Sequence, residues 1–458
     1  MSRIKQDNIL IAVASFFYLI IMSAIFLKIY KSSKFWPVFL SIEYFYFFGL
    51  GIYPILLSLD LVNIPLRYAK YNTSDTLSVM TFFHIILYAV GAGTGFFFSP
   101  RLTVAGSNRL VILSRKLKIN PFKLFYLMAF IAIAAAVAYL YFVGVERAIV
   151  GASSSRGGDF SDLAGVEGYS FLKRFTILGL YAVAFFPFIV ASDTKVKSSF
   201  LILFSIGILG YITTVSRFAL FESILVPLLI YFSYKFKPNT KGMLFLLFVF
   251  SFAYSVLFYG KEFVQVFSNY YFLNKDFELP DSSEKVAFFD GFSHLLFSID
   301  AGILNFLRNG PFIATDIWLS LVGFLPSGVF TFFKIPELSY QLVTDEFKTL
   351  CVNTKIIDGS GDECYIPPYF TGMSAYVMPL AGGFFFGYIR FYIYSVIHRC
   401  WVVLKGNEYH LITPYFFLLL SCQFMLFIPA TISLAVFFCI MLFLYFFGAK
   451  VFQSSSRG

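Results

Sequence analysis

The stretch "YIPPYFTGMSAYVMPLAGGFFFG" (residues 365–387) decides how the chain is read. A proline pair opens it, Pro379 interrupts it, and glycines stand at 382, 383 and 387 where a long apolar run begins. Proline fixes φ and removes a backbone donor, and glycine weakens a helix interior. Such residues mark a polar connection turning into an apolar helix. Pro367 and Pro368 are expected to hold the connection extended, since a residue before proline is pushed out of the helical region. Pro379 is expected to loosen the first turns of the helix. Gly382, Gly383 and Gly387 leave room for close approach by either a neighbouring helix or a lipid chain.

Composition sets the solvent in which that helix lies. Of 458 residues 59% are hydrophobic and 13% charged, with 64 Phe and 30 Tyr; a soluble domain carries about 25% charged residues. The apolar residues fall in blocks of about 17 to 25, the length that crosses about 30 Å of hydrocarbon as helix. The fold class expected is therefore an all-α polytopic integral membrane protein. Eleven spans are expected, within a range of 10–12, near residues 9–27, 35–59, 76–99, 124–143, 175–191, 199–215, 218–234, 243–260, 373–397, 411–428 and 432–449. The first block is followed by Lys28, Lys31 and Lys34 and has no small-residue cleavage site, so it reads as a retained span.

The net charge of +10 would suggest nucleic acid in a soluble protein, but here the cations cluster in short connections, as in cytoplasmic loops. "KIYKSSK" (28–34) has three, residues 100–123 have six and no acid, and "KFKPNTKG" (235–242) has three. No nucleic-acid partner is expected. The alternation puts the N-terminus outside and the C-terminus inside, with "MSRIKQD" at odds because its cations would face outward.

Within this single membrane domain (1–458), two connections are long, and both fall outside: residues 144–174 and residues 261–372. The second holds 14 acids against 7 basic residues, with Arg308 its only arginine. Inside it, "FSHLLFSIDAGILNFL" (292–307) has helical apolar spacing, and "IWLSLVGFLPSGVFTFF" (317–333) is apolar but broken by Pro-Ser-Gly. Both are expected as helices lying on or dipping into the outer membrane surface. Cys351 and Cys364 lie in the same loop, where an oxidising compartment permits a disulfide. Closing about fourteen residues would stabilise by about 3 kcal/mol. Two unpaired thiols are the alternative.

Several chemistries are set aside. The chain has no Walker loop, HExxH, CxxC or GxSxG, and of four histidines only His294 lies in a long outer loop; neither a metal nor a cofactor is expected. What remains at the outer face is a set of cations: Arg147 and Arg156 in the first long loop, Arg217 in "TTVSRFALFES" and Arg308 in the second. Arginine's rigid, always-charged fork suits phosphate oxygens, and a diphosphate leaving group needs little more than such charge to stabilise it. Each arginine could instead anchor a helix end among headgroups. Glu43, His84 and Glu222 are ionisable within spans and so are candidates for function. Glu222 follows Arg217 closely enough to pair with it, while Glu43 and His84 read as hydrogen bonds between helices. Arg390 is expected to snorkel to the cytoplasmic end of its span.

With these residues placed, the chain resembles the O-antigen polymerase (Wzy) family. "TTVSRFALFES" (213–223) looks like that family's span ending in Ser-Arg at the outer face. "GFLPSGVFTFFKIPELSY" (323–340) is similar to its Leu-Pro-Ser segment followed by Lys-x-Pro, and residues 366–387 resemble its loop-to-helix junction. Some members carry Arg followed by Gly after ten residues in the outer loops; Arg147 and Gly158 match this, but eleven positions past Arg308 stands Leu319. Members often have Gly-Glu where this chain has Gly372-Met373, so no acid is carried over there.

The resemblance implies a lipid-dependent membrane glycosyltransferase (GT-C-like) architecture in a bacterial inner membrane, with its active face periplasmic. It implies that undecaprenyl-diphosphate-linked oligosaccharide repeat units are joined by glycosyl transfer, with membrane lipid and a chain-length regulator protein as further partners. Arg217, Arg156, Arg147 and Arg308 would hold the diphosphate, with Glu222 beside Arg217, and His294 or an outer-loop acid would act as base. Pro367, Pro368, Gly372 and Tyr376 would contact substrate at the junction. An O-antigen ligase and a polysaccharide flippase or other transporter are the alternatives.

Overall fold

The computed structural model describes, in the main, residues 2–62, 75–99, 121–148, 175–214, 220–235, 290–309 and 370–403. The expected spans at 243–260, 411–428 and 432–449 lie essentially outside the described residues, as do Cys351 and Cys364. Every regular element among the described residues is helical.

Helix α1 (Ser2–Ser32) leads into α2 (Trp36–Tyr46), which opens on a proline at its first turn, where a missing N–H costs nothing. A π-helical segment, Phe47–Ile52, and α3 (Tyr53–Ser58) continue it. The π segment carries Gly49 and Gly51. A Cβ on Gly49 would lie 2.6 Å from Leu295 Cδ1 and 2.8 Å from the Phe292 carbonyl, so glycine here lets the neighbouring helix seat closely. Next come α4 (Asp75–Phe97) and α5 (Pro121–Val143), the latter stopped by Gly144 at φ +84°, the left-handed conformation that closes helix C-termini. Helices α6 (Phe186–Ser192), α7 (Val196–Thr214) and α8 (Val226–Lys235) follow, with a second π segment, Phe221–Leu225, before α8. The described chain ends with α9 (Asp290–Asn309), α10 (Phe370–Val377) and α11 (Ala381–Val403).

Four helical stretches among the described residues are long and apolar enough to cross a membrane: Ile9–Ser32, Val79–Phe97, Phe122–Val143 and Val196–Thr213. Their outward faces carry large apolar side chains, among them Phe16, Phe83, Phe130, Val137 and Leu201. In water these would form a destabilising surface; against hydrocarbon they are solvated. A multi-pass helical membrane protein is the architecture these helices are compatible with.

The direction of the helices follows from which residues meet. Gly91 faces Phe384 and Gly95 faces Tyr388, so α4 and α11 run parallel. Tyr18 packs on Tyr88 and Gly93 faces Ile21, so α1 is parallel to both. Phe39 meets Tyr394 while Glu43 meets Arg390, so α2 runs antiparallel to α11. These relative senses are the ones that the alternating charge of the connections implies.

The α4–α11 seam is built on glycine. A Cβ at Gly383 would stand 2.5 Å from the His84 carbonyl oxygen, and one at Gly387 would collide with the Tyr88 carbonyl and approach Ala92 N at 3.1 Å. From the other side, Gly91 and Gly95 meet the carbonyls of Phe384 and Tyr388. This is a small-xxx-small contact on both helices, which membrane helices use because dispersion across a close seam replaces the absent hydrophobic drive. The space at Gly383 and Gly387 thus belongs to a neighbouring helix, and that at Gly382 is taken by the Ser374 carbonyl of α10. At the far end the seam is pinned by polar groups. The Ser99 and Ser395 hydroxyls are 2.6 Å apart, Arg399 donates to the Ser99 carbonyl, and His398 Nε2 lies 2.8 Å from Ser32 Oγ.

Candidate functional site

The single span expected at 373–397 is broken. Helix α10 stops at Val377, Met378–Leu380 form a turn, and α11 begins at Ala381. Pro379 causes this, because it has no N–H to continue the ladder and its ring crowds the preceding turn. In a continuous helix the Gly383 N–H would bond the Pro379 carbonyl; here it bonds Leu380 O at 3.2 Å instead. The freed Pro379 carbonyl is taken by His84 Nδ1 at 2.6 Å. A carbonyl only accepts, so Nδ1 carries the proton. In the neutral ring Nε2 then accepts; Ser374 Oγ of α10 lies 2.9 Å from it and 2.7 Å from the Thr371 carbonyl, so its one proton is shared between the two acceptors. His84 therefore closes the break from α4, holding the last carbonyl before α11 and a hydroxyl of α10 together.

One turn back along α4, Thr81 donates from Oγ1 to Asp300 Oδ1 of α9 at 2.5 Å. Helix α9 comes this close because Gly302 and Gly372 let it touch α10. A Cβ at Gly372 would meet the Ser298 carbonyl at 2.7 Å, and one at Gly302 would collide with the Gly372 carbonyl. Ser298 Oγ donates to Leu295 O at 2.8 Å and lies 3.5 Å from Thr371 Oγ1. Three helices thus contribute a band of buried polar groups: Thr81 and His84 from α4, Ser298 and Asp300 from α9, Thr371 and Ser374 from α10. Burial pushes the Asp300 carboxyl up to about 7, against the lowering effect of the Thr81 hydrogen bond.

A second polar centre lies one turn deeper. Arg390 of α11 pairs with Glu43 of α2 and donates to the Tyr88 hydroxyl. Tyr394 donates to Glu43 Oε1 at 2.8 Å, and the guanidinium sits 3.9 Å over the Tyr46 ring. Arg390 is 5% exposed, so the expected snorkelling is corrected. The partner carboxylate stands at the same level on α2, and an inward pair removes the reason for the side chain to reach for the headgroups. Glu43 and His84 do bridge helices, as their position within spans suggested.

The residues expected at the site divide by placement. Arg147 is exposed just after α5. Arg308 ends α9, His294 lies in its first turns, and Glu222 falls in the second π segment, with their side chains outside the described residues. Arg156, Arg217, Pro367 and Pro368 lie outside the described residues altogether. Gly372 and Tyr376 are buried on α10, Gly372 against Ser298 of α9. Asp300, Thr81 and Ser374 were not anticipated. A signal existed for Asp300: Phe292, Leu296, Ile299 and Ile303 form the buried stripe of α9, and Asp300 stands within that stripe as an acid. Among the described residues no three His, Cys, Asp or Glu side chains come together as a metal site.

No protein-family model matches the chain, and no curated protein and no solved structure matches it either.

Proposed function

We propose that this chain is a glycosyltransferase that polymerises undecaprenyl-diphosphate-linked oligosaccharide repeat units at the outer face of a bacterial inner membrane. A hydroxyl of the incoming unit attacks the anomeric carbon of the growing chain, and undecaprenyl diphosphate leaves. The observation that carries this proposal is the buried band of Thr81, His84, Asp300 and Ser374, which joins the acid-rich long outer loop to a helix broken at Pro379. Ionisable groups are expensive within a bundle and mark function there. Arg308 lies eight residues along α9 from Asp300, about 12 Å on the helix axis. In this proposal Arg308 is the phosphate-holding cation, on the same element as the acid.

A second reading is a transporter for the same lipid-linked units. The α10–α11 break and the enclosed Glu43–Arg390 pair favour it, since discontinuous helices and inward charges are features of transport bundles. Surface glycan from a strain lacking this chain separates the two. A polymerase predicts lipid A–core capped by a single repeat unit in place of the ladder. A transporter predicts no repeat on the core and single units trapped on the lipid carrier inside, and that result would overturn the polymerase proposal.

A further inference from the structure

The geometry points to Asp300 as the general base that takes the proton from the acceptor hydroxyl, an assignment that rests on the polymerase reading above. In the step, the acceptor oxygen bonds to the anomeric carbon as the carbon–oxygen bond to the diphosphate breaks. The bonding pair leaves with the diphosphate, and the hydroxyl proton passes to the Asp300 carboxylate and from there to water.

Among the described residues three buried ionisable centres lie in this half of the bundle, and their partners separate them. His84 has both ring nitrogens engaged, Nδ1 with the Pro379 carbonyl and Nε2 with Ser374, and its side chain is wholly enclosed. It is a pin across the helix break. Glu43 is one turn deeper and ion-paired, accepting from Arg390 and Tyr394 through Oε1, with its Oε2 buried and without a hydrogen-bond partner among the described residues. Asp300 differs from both. Among the described residues its carboxylate accepts one hydrogen bond, from Thr81 to Oδ1, although a carboxylate offers about four lone-pair sites. It also keeps 5% of its surface accessible, where His84 keeps none.

Its placement fits the role as well. Asp300 is carried by a segment of the long outer loop that the Gly302–Gly372 contact seats between α4 and α10. The elements packed against α9 bring Glu43, Tyr44 and Tyr46 on α2, Tyr53 on α3, Asp75, His84 and Tyr88 on α4, and Tyr376 on α10; α9 itself carries Asp290, His294 and Arg308. Burial, set against the Thr81 bond, brings Asp300 to about 7, the range in which a base at neutral pH is both deprotonated and able to accept.

The test uses the full chain in nanodiscs with undecaprenyl-diphosphate-linked repeat unit extracted from a strain lacking it. Wild-type chain should elongate this lipid and release undecaprenyl diphosphate; if it does not, the polymerase reading falls and the base assignment falls with it. Given turnover, Asp300→Asn should lose on the order of 10²–10⁴-fold in rate while still binding the lipid-linked unit. The wild-type rate should fall about tenfold per pH unit below about 7, and Thr81→Val should move that limb to higher pH, because it removes the bond that lowers the Asp300 pKa. Asp300→Asn turnover within about threefold of wild type, far short of a base's contribution, overturns the assignment. So does an acid limb that Thr81→Val leaves in place.

Discussion

Substituting one glycine of α4 at a time tests whether the α4–α11 seam depends on backbone contact. Gly91 and Gly93 are two residues apart on the same helix, yet they face different neighbours. A Cβ at Gly91 would stand 2.9 Å from the Phe384 carbonyl carbon and 3.0 Å from its Cα, with the carbonyl oxygen closer still. All three are backbone atoms of α11 and cannot rotate away. At Gly93 the nearest atom is Ile21 Cγ2 at 3.4 Å, an ordinary contact with a flexible side chain. Carbon–oxygen contacts between packed helices settle at about 3.3–3.6 Å, so Gly91→Ala must part α4 from α11 by roughly 1 Å. Overpacking of this kind costs about 1–3 kcal/mol. Alanine regains up to about 1 kcal/mol of helix propensity at either position. That gain is common to both, and the overpacking is what separates them. Thermal unfolding of the purified chain in detergent should therefore rank Gly91→Ala below Gly93→Ala by about 1–3 kcal/mol, with Gly93→Ala near wild type or above it. Equal losses at the two positions would refute the seam.

Breaking the Arg390–Glu43 pair from either side should have unequal consequences. Glu43→Gln leaves a guanidinium that cannot shed its proton and should cost about 3–5 kcal/mol, whereas the carboxyl left by Arg390→Met can take up a proton and should cost less; unfolding at pH 7 checks the order. Asp300→Asn should stabilise the fold at pH 8 and make no difference near pH 4. The folded carboxyl titrates at about 7 against 3.8 in the reference state, so the fold favours the protonated form, and the cost of the charge grows as pH rises between those values and is constant above them. A wild-type minus Asp300→Asn difference that stays flat from pH 4 to pH 8 would refute it.

The sequence announces the helices through unbroken apolar blocks, and it announces loosening at Pro379, because proline's missing donor is a local fact, but not the full break between α10 and α11. Glycines in the junction were equally visible, but their occupant was not. Gly383 and Gly387 face α4 only because Gly91 and Gly95, nearly three hundred residues earlier, stand at matching heights. That complementarity can be suspected from two small-xxx-small patterns but is fixed only by the fold. Arg390 was misread for the same reason. Its position in one span indicates snorkelling until Glu43 of another is seen at its level. Asp300 lay hidden in a segment read as a surface helix, since an acid in a mixed-charge loop looks solvated. Its place in the apolar stripe of α9 hinted at burial, but what encloses it is fixed by the Gly302–Gly372 contact, which no spacing within α9 reveals.

The two buried polar centres differ in how well the fold compensates them, and the difference bears on what each does. Arg390 and Glu43 neutralise one another among Tyr88, Tyr394 and the Tyr46 ring, although Glu43 Oε2 has no hydrogen-bond partner among the described residues. His84 is compensated as well, because the carbonyl released by Pro379 and the Ser374 hydroxyl take both ring nitrogens. Asp300 has one hydroxyl and, among the described residues, no cation bonded to it. Its rise from 3.8 to about 7 corresponds to about 4 kcal/mol held in the charged form at neutral pH and above. A hydroxyl-bonded asparagine would fill the same space without that cost. A group that serves packing alone gives no return for it, whereas a base must be both poorly solvated and incompletely bonded to accept a proton near pH 7. The uncompensated centre, rather than the ion pair, is thus where chemistry is to be sought.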